Sequence, residues 1–555
     1  MSDSFRSPRR FSRIAAGIAV ALSAAAGAPG ASAAVHRLSD GQAFSTVELG
    51  YSKPALTPDG ERVVFCQNAE TAGGFALWSV RLAGGAPVRL SGALAGGGLA
   101  CWFRISPDGS QVVYMANQDA PATYELYSVP VDGSALAVKL NPALVGNGNV
   151  SSLFEISPDS ATVIYRADQV ADDRFDLWSV PIGGGAAVKV NGDLISGGDV
   201  SSFAISATGL HVVYLADQGN DEIFALYGAP IGGGSWWNVT PPNITQGDVV
   251  EYRITPDGSR VVARADRVVD DRFELYRSRT DGSLATVPIG TTPVVDGDVL
   301  GFALSPDGQV VVYLADLDVN GVMELFSFPI DSDDPADNQQ LNGDLAGGGD
   351  VDGGFVLSPD STRVVYVADQ ELDGHYELYS SSVLFGPGLR LNPDLPGLSN
   401  VALDPLITAD SARVGYRVTH ASGLGSTELS SVPLGGGSAT LLSPVPASGT
   451  WTTQRQVEAA GGAHLFFEFQ STDDSATRIY RAAVAGGELI EIGPVLDVAS
   501  GEAFSWLGPT ADPRQALFVS NEQTGAETEL YAGDTCLLCD GFDSAGTTRW
   551  STVLP

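Results

Sequence analysis

Short runs of β-branched and aromatic residues recur along the chain, separated by clusters of Gly, Pro, Asp and Ser. Within residues 200–240, Val200 to Ser206 alternates as a half-buried strand does, and Val212-Val213-Tyr214-Leu215 is a continuous apolar run that predicts a strand buried on both faces. A polar loop follows. Phe224-Ala225-Leu226-Tyr227 predicts a third strand and Trp236-Trp237-Asn238-Val239 a fourth, joined by a Gly232-Gly233-Gly234 turn in which glycine supplies positive φ without steric penalty.

This unit is repeated. A Ser/Thr-Pro-Asp-Gly/Ser turn, or a worn copy of it, begins at Thr57, Ser106, Ser157, Ser206, Thr255, Ser305, Ser358 and Thr408, at steps of 49 to 53 residues. Two decayed copies follow at the same pitch, near Ala459 and Thr510, which makes ten units. A period near 50 without helical periodicity predicts an all-β propeller of about ten four-stranded blades. Two smaller rings are the alternative. The segment Val35-His36-Arg37-Leu38-Ser39 matches the fourth-strand segments Ala137 to Asn141 and Ala187 to Asn191, whereas the last unit has strands near Trp506, at Ala516 to Val519 and at Glu529 to Tyr531 but no fourth. Pairing of the N- and C-terminal segments would satisfy both sets of backbone groups and close a single ring.

The first 33 residues read as an export signal: Arg6, Arg9, Arg10 and Arg13 precede the apolar run Ile14 to Gly27, and Ala31-Ser32-Ala33 offers a cleavage site. Residues 34–533 then form the propeller, and residues 534–555 a C-terminal tail with a CxxC pair. No later apolar stretch is long enough to span a bilayer. The expected product is periplasmic or secreted.

The repeat itself carries a resemblance. Ser358-Pro359-Asp360, the strand Val364 to Ala368, the loop Asp369-Gln370-Glu371-Leu372-Asp373-Gly374 and the segment Glu377-Leu378-Tyr379 resemble the TolB-type (PD40, WD40-like) propeller repeat. The resemblance is specific because it recurs over most of the chain. It implies a propeller fold and an extracytoplasmic binding scaffold. The chain lacks the α/β domain that precedes the propeller in TolB, and its repeat number is larger.

Charge sharpens this picture. With 66 Asp and Glu against 30 Lys and Arg the net charge is -36, and loss of the four arginines and one aspartate of residues 1–33 deepens it to -39. Such a chain is repelled by nucleic acid and by anionic membrane surfaces. A hydrophobic content of 44% provides a core and excludes a disordered acidic polymer. The carboxylates concentrate in two loop families expected at one end of the blades. The loop between second and third strands holds Asp168, Asp172, Asp173 and Asp176, or Asp266, Asp270, Asp271 and Glu274; Asp199, Asp248, Asp298 and Asp350 precede first strands. The Ser-Pro-Asp-Gly and Gly-Gly-Gly turns, at the opposite end, hold fewer charges.

Two loops have a sharper pattern. Asp316, Asp318, Asn320 and Glu324 read D-x-D-x-N-G-x-x-E, and Asp369, Glu371, Asp373 and Glu377 read D-x-E-x-D-G-x-x-E. This resembles the calcium loop of integrin-type propeller repeats, and its opening half an EF-hand, although Ser327 stands where an EF-hand has its last Glu. Oxygens at alternate positions can converge on one hard cation because Gly321 or Gly374 lets the chain fold back. The loops from Asp168 and Asp266 keep the first, fifth and ninth positions only. Polar hairpin turns, with Asp capping the strand, are the competing reading.

Enzyme signatures are sparse: there is no G-x-S-x-G elbow, and the five histidines form no zinc spacing. Cys66 and Cys101 are placed to bridge the first two blades, and Cys536 and Cys539 to form a local disulfide in the tail. Trp236 and Trp237 are candidates for a sugar or protein contact, or for blade packing. The expectation is a monomeric, non-enzymatic binding scaffold that presents an acidic, calcium-binding face to a basic protein or cell-envelope partner. The alternative is a carbohydrate-active hydrolase or lyase that uses channel-mouth carboxylates.

Overall fold

A computed structural model describes residues 36–37, 53–68, 74–95, 98–240, 247–397, 399–420, 427–443, 451–458, 463–471, 476–487, 489–491, 496–497, 504–509, 515–520 and 529–534. Those residues build ten antiparallel sheets of four strands, in chain order in the first nine; sheets 8 and 9 each add one short strand. Sheets 1 to 9 span residues 55–89, 102–139, 150–189, 200–240, 249–289, 299–340, 351–390, 400–441 and 451–497. Sheet 10 comprises Phe504–Pro509, Gln515–Ser520 and Glu529–Asp534, and its fourth strand is His36–Arg37. His36 pairs with Ala532 and Arg37 with Tyr531, so the N-terminal segment fills the place that the last repeat leaves open. No described helix is long and apolar enough to cross a membrane.

Second strands are buried on both faces, which explains their unbroken apolar runs; all six residues of Val310–Ala315 are buried. Their side chains join neighbouring sheets face to face. Val213, Leu226 and Val239 of sheet 4 pack on Val249, Val261, Ala265 and Tyr276 of sheet 5. Equivalent clusters link every consecutive pair from sheet 1 to sheet 9. Val262, Leu275 and Ile289 meet Val299, Phe302 and Val311 across sheets 5 and 6, where two five-bladed rings would part. The result is one continuous, propeller-like array.

The second and third strands of sheets 2 to 4 run further than the apolar pattern predicts. In sheet 4 they are His211–Asn220 and Ile223–Pro230, with Asn220 paired to Ile223 beyond a register shift after Ala216. The polar segment is therefore a bulged hairpin extension: its first residues, Asp217 and Gln218, are buried but polar, its tip faces water, and neither leaves an apolar periodicity to read. In sheets 5 to 7 the corresponding segment stays a loop, between Ala265 and Glu274 in sheet 5.

The recurring turn is held by its own side chains. In sheet 5 the Thr255 hydroxyl donates to Asp257 Oδ1 at 2.5 Å and accepts from the Arg260 N–H at 3.0 Å, while Asp257 Oδ1 also accepts from the Ser259 N–H at 3.0 Å. The fourth turn position is left-handed, Gly258 at φ 74° and, where glycine is absent, Ser361 at φ 64°. The serine returns something for that strain: Ser361 Oγ accepts from the Asp307 N–H of the preceding sheet at 2.9 Å. Ser160 and Ser411 do the same to Asp108 and Asp360. A disulfide between Cys66 and Cys101, Cα atoms 5.5 Å apart, ties sheet 1 to the entry of sheet 2. Cys536 and Cys539 lie outside the described residues.

Candidate functional site: the acidic end of the sheets

At one end of the array, sheets 2 to 8 are each fastened to the next through acidic or amide side chains. Asp217, at the end of the second strand of sheet 4 and 2% exposed, accepts from the Asp199 N–H at 2.5 Å through Oδ1 and from the Glu222 N–H at 3.2 Å through Oδ2. Asp199 in turn accepts from the Phe175 N–H of sheet 3 at 2.6 Å. The same relay runs through Asp266 and Asp248, Asp316 and Asp298, and Asp369 and Asp350. Asn149 and Asn400 stand in for the second aspartate in sheets 3 and 8, accepting from Tyr124 and Tyr376 N–H groups at 2.9 Å. A carboxylate suits the first position because it offers two acceptors and no donor to two converging N–H groups.

These buried aspartates fix the backbone of hairpins whose tips carry other carboxylates into solvent. Asp172, Asp173, Asp221, Glu222, Asp270, Asp271, Asp318 and Asp373 are exposed at corresponding positions of sheets 3 to 7. At the opposite end, the turn between first and second strands of sheets 1 to 3 and 5 to 8 holds one aspartate bonded as Asp257 is, and sheet 4 has Thr208 in that place. Their hydroxyl partners Thr57, Ser106, Ser157, Thr255 and Thr408 are the largest cause holding Asp59, Asp108, Asp159, Asp257 and Asp410 below the ordinary 3.8. With folded pKa values below the unfolded ones, these five contribute stability above about pH 3.8 that is lost as pH falls through the depressed values.

Asp199 and Asp248 behave in the opposite sense. Burial raises both, and Asp266, Asp270 and Glu222 add to the rise at Asp248. A raised folded pKa means that protonation favours the folded state, and that this contribution disappears as pH rises through that pKa. Asp248→Asn keeps the acceptor for Phe224 and removes the charge, as Asn149 does in sheet 3. We expect a higher melting temperature than wild type at pH 7, with the gap closing on acidification; a lower melting temperature at pH 7 would contradict this.

The structure disperses the two four-residue loop patterns. Asp316 and Asp369 serve the relay, and Gly321 and Gly374 N–H groups donate to their Oδ2 atoms at 2.8 Å. Glu324 accepts from Gln340 Nε2 at 2.6 Å, and Glu377 is held by Arg390 at 3.0 Å and by the Tyr379 hydroxyl at 3.2 Å. Asp318, Asn320 and Asp373 are exposed on the loops, and Glu371 pairs with Arg390 at 3.1 Å. The ninth-position carboxylate thus faces its own fourth strand: Asp176 pairs with Lys189 at 2.9 Å, and Glu125 with Lys139. Among the described residues, three carboxylates bring oxygens within 4.8 Å of one another at Asp168, Asp172 and Asp173 and at Asp266, Asp270 and Asp271, and nowhere else.

One structural device goes unread in the apolar pattern, and one candidate residue proves to be packing. Asn141, Asn191, Asn342 and Asn392 on fourth strands use Oδ1 to accept the N–H groups of Leu126, Leu177, Leu325 and Leu378. Their recurrence four times at the same place in the repeat was the available clue. Trp237 packs edge-on against His211 at 5.6 Å and donates Nε1 to the Thr280 carbonyl at 3.2 Å, so it joins sheets; Trp236 is 46% exposed.

No family model and no curated protein matches the chain. Among solved structures it is similar to a putative TolB from Agrobacterium tumefaciens, at 20% identity over 43% of this chain and 78% of that one, with a TM-score of 0.27. It is also similar to dipeptidyl peptidase 4 of Porphyromonas gingivalis, at 14% identity over 76% of this chain and 65% of that one, TM-score 0.45. Prolyl oligopeptidase B of Galerina marginata shares 12% identity over 67% of this chain and 56% of that one, TM-score 0.34.

Proposed function

We propose that the chain is an extracytoplasmic, non-enzymatic scaffold that holds a basic protein or cell-envelope partner on the hairpin end of its sheets. The row of exposed tip carboxylates on sheets 3 to 7, set on hairpins whose backbones are fixed by the buried aspartate relay, supports this reading. Fixed hairpins spare a partner the entropy of ordering them, and clustered negative charge steers a basic surface in at a rate that falls with salt. Binding of a lysine-rich peptide should therefore weaken steeply as salt is raised. Turnover of polysaccharides or peptides by the purified protein would overturn the non-enzymatic part. N-terminal sequencing of the exported protein should begin at Ala34; an uncleaved terminus in the cytosol would refute the location.

Calcium belongs to the same reading at two hairpins. Asp168, Asp172 and Asp173, and Asp266, Asp270 and Asp271, supply clustered hard oxygens that repel one another unless a cation lies among them. Calcium should raise the melting temperature, and the combined Asp172→Asn and Asp270→Asn variant should lose that shift. A melting temperature indifferent to calcium and to EDTA would remove the metal from the account.

A further inference from the structure

Sheet 8 departs from its neighbours at two places on one hairpin. In sheets 2, 3, 4 and 7 the residue four positions after the second-strand tyrosine is Gln118, Gln169, Gln218 or Gln370, which accepts the tyrosine hydroxyl at 3.1–3.2 Å. Sheet 8 has His420 four positions after Tyr416. The second departure concerns the carboxylate across the hairpin. Glu125, Asp176 and Glu377, on the third strands of sheets 2, 3 and 7, are each paired with a fourth-strand cation, Lys139, Lys189 and Arg390. Glu428 has the same place in sheet 8, opposite Val418, but Leu441 stands where Arg390 stands in sheet 7. Sheet 8 therefore has an imidazole in place of an amide, facing a carboxylate that lacks the fourth-strand cation.

Hydrogen bonding fixes which nitrogen of the imidazole is free. The buried Ser399 donates its hydroxyl proton to the Pro396 carbonyl at 2.6 Å. Its oxygen lies 3.0 Å from His420 Nδ1 and, with that proton spent, acts there as acceptor, so Nδ1 carries the hydrogen. The neutral ring then keeps its lone pair on Nε2. That atom is buried without a hydrogen-bond partner, although Glu428 Oε2 is 3.3 Å away. Two electron-pair donors so placed call for a cation between them. The spacing suits a metal ion better than a proton: ligands about 2.0–2.1 Å from a tetrahedral ion stand about 3.3–3.4 Å apart, whereas a charge-assisted N–H···O bond draws its atoms to about 2.7–2.9 Å. Glu428 is half-exposed, so an ion can reach the pair from solvent.

We infer that His420 Nε2 and Glu428 bind a zinc-type divalent cation, with Ser399 as the positioning residue that fixes the tautomer and direction of the imidazole. A hydroxyl or carbonyl behind the ring is the usual support of a metal-bound histidine. With two ligands from the described residues, the ion keeps further positions for water. An imidazole with a carboxylate suits zinc, whereas the hairpin-tip clusters of sheets 3 and 5 offer oxygen alone and suit calcium, so this site stands or falls independently of them.

The test is calorimetric titration of the full chain with zinc chloride in excess calcium, which competes for sites made of oxygen alone. One zinc per chain is expected that His420→Gln abolishes; this variant puts back the amide that four other sheets hold, and so should fold. Glu428→Gln, at a half-exposed position, should weaken that zinc by about tenfold or more. Leu441→Lys should do the same without touching a ligand, because it returns to Glu428 the cation that the other sheets supply. Ser399→Ala should cost about tenfold, and Ser399→Thr, which keeps the hydroxyl, should recover the affinity. Wild-type protein that takes up no zinc, leaving a proton to separate the two groups, or zinc uptake unchanged in His420→Gln or in Glu428→Gln, would overturn the inference.

Discussion

Replacing Tyr214 by alanine is expected to destabilise the protein by about 3–5 kcal/mol, the range for truncating a large buried aromatic. Tyr214 is fully buried, stacks on Tyr227 with centroids 5.4 Å apart, and donates to Gln218 at 3.1 Å while its oxygen accepts from the Gly192 N–H of sheet 3 at 3.3 Å. Alanine would leave a void and would strip contacts from both sheets. Because stacked repeats unfold in parts, hydrogen exchange of sheets 3 to 5 is the appropriate readout. Protection in those sheets should collapse before the rest of the array. A loss below about 1 kcal/mol would show that the second-strand aromatics are not what joins the sheets. Tyr214→Phe should retain most of the stability, since it sacrifices only the hydrogen bonds.

Asp316→Ala is expected to cost about 2–4 kcal/mol, because it removes both acceptors of two converging backbone N–H groups at a site 2% exposed. Asp298 donates at 2.5 Å and Gly321 at 2.8 Å. The damage should reach sheet 5 as well, since Asp298 also accepts from the Phe273 N–H at 2.8 Å. Asp316→Asn keeps one acceptor but turns an NH₂ toward the second N–H, so it should be intermediate. The loss should be the same with and without calcium, measured by denaturant midpoint. A penalty that appears only when calcium is present would make Asp316 a metal ligand first and a fastener second.

The fold was legible because the repeat writes it many times. A single Val-Val-Tyr run would not separate a strand from a buried helix turn, whereas eight copies at a near-constant step leave only a stacked β architecture. The match of His36 and Arg37 to a fourth strand was legible for the same reason. Side-chain direction was not. Glu324 and Glu377 occupy the right sequence offset for a cation shell, yet strand alternation sends them to Gln340 and Arg390 on their own fourth strands. Nor did spacing reveal that Asp316 and Asp369 are already committed to backbone N–H groups, because their donors Asp298 and Asp350 lie 18 and 19 residues away. The hairpin extensions of sheets 2 to 4 were read as loops, since strands built from polar residues, buried at their start and solvated at their tip, carry no apolar signal.

Most of the first-to-second-strand turns at the opposite end carry a carboxylate too, but those are bound to their own hydroxyl and N–H partners and hold the chain's bends. The tips of the hairpins, by contrast, project carboxylates that the fold does not need, and this difference underlies the proposed binding face.

The most direct measurement of that claim compares two variants with equal charge change. One carries Asp172→Asn, Asp173→Asn, Asp270→Asn and Asp271→Asn at the hairpin tips; the other carries Asp132→Asn, Asp281→Asn, Asp334→Asn and Asp337→Asn at the opposite end. Affinity for an immobilised lysine-rich peptide is measured at low and at raised salt. The account predicts that the tip variant loses about tenfold or more of the low-salt affinity, while the other stays close to wild type. Equal losses in the two variants would mean that bulk charge alone attracts the peptide, and would contradict a binding face at the hairpin end.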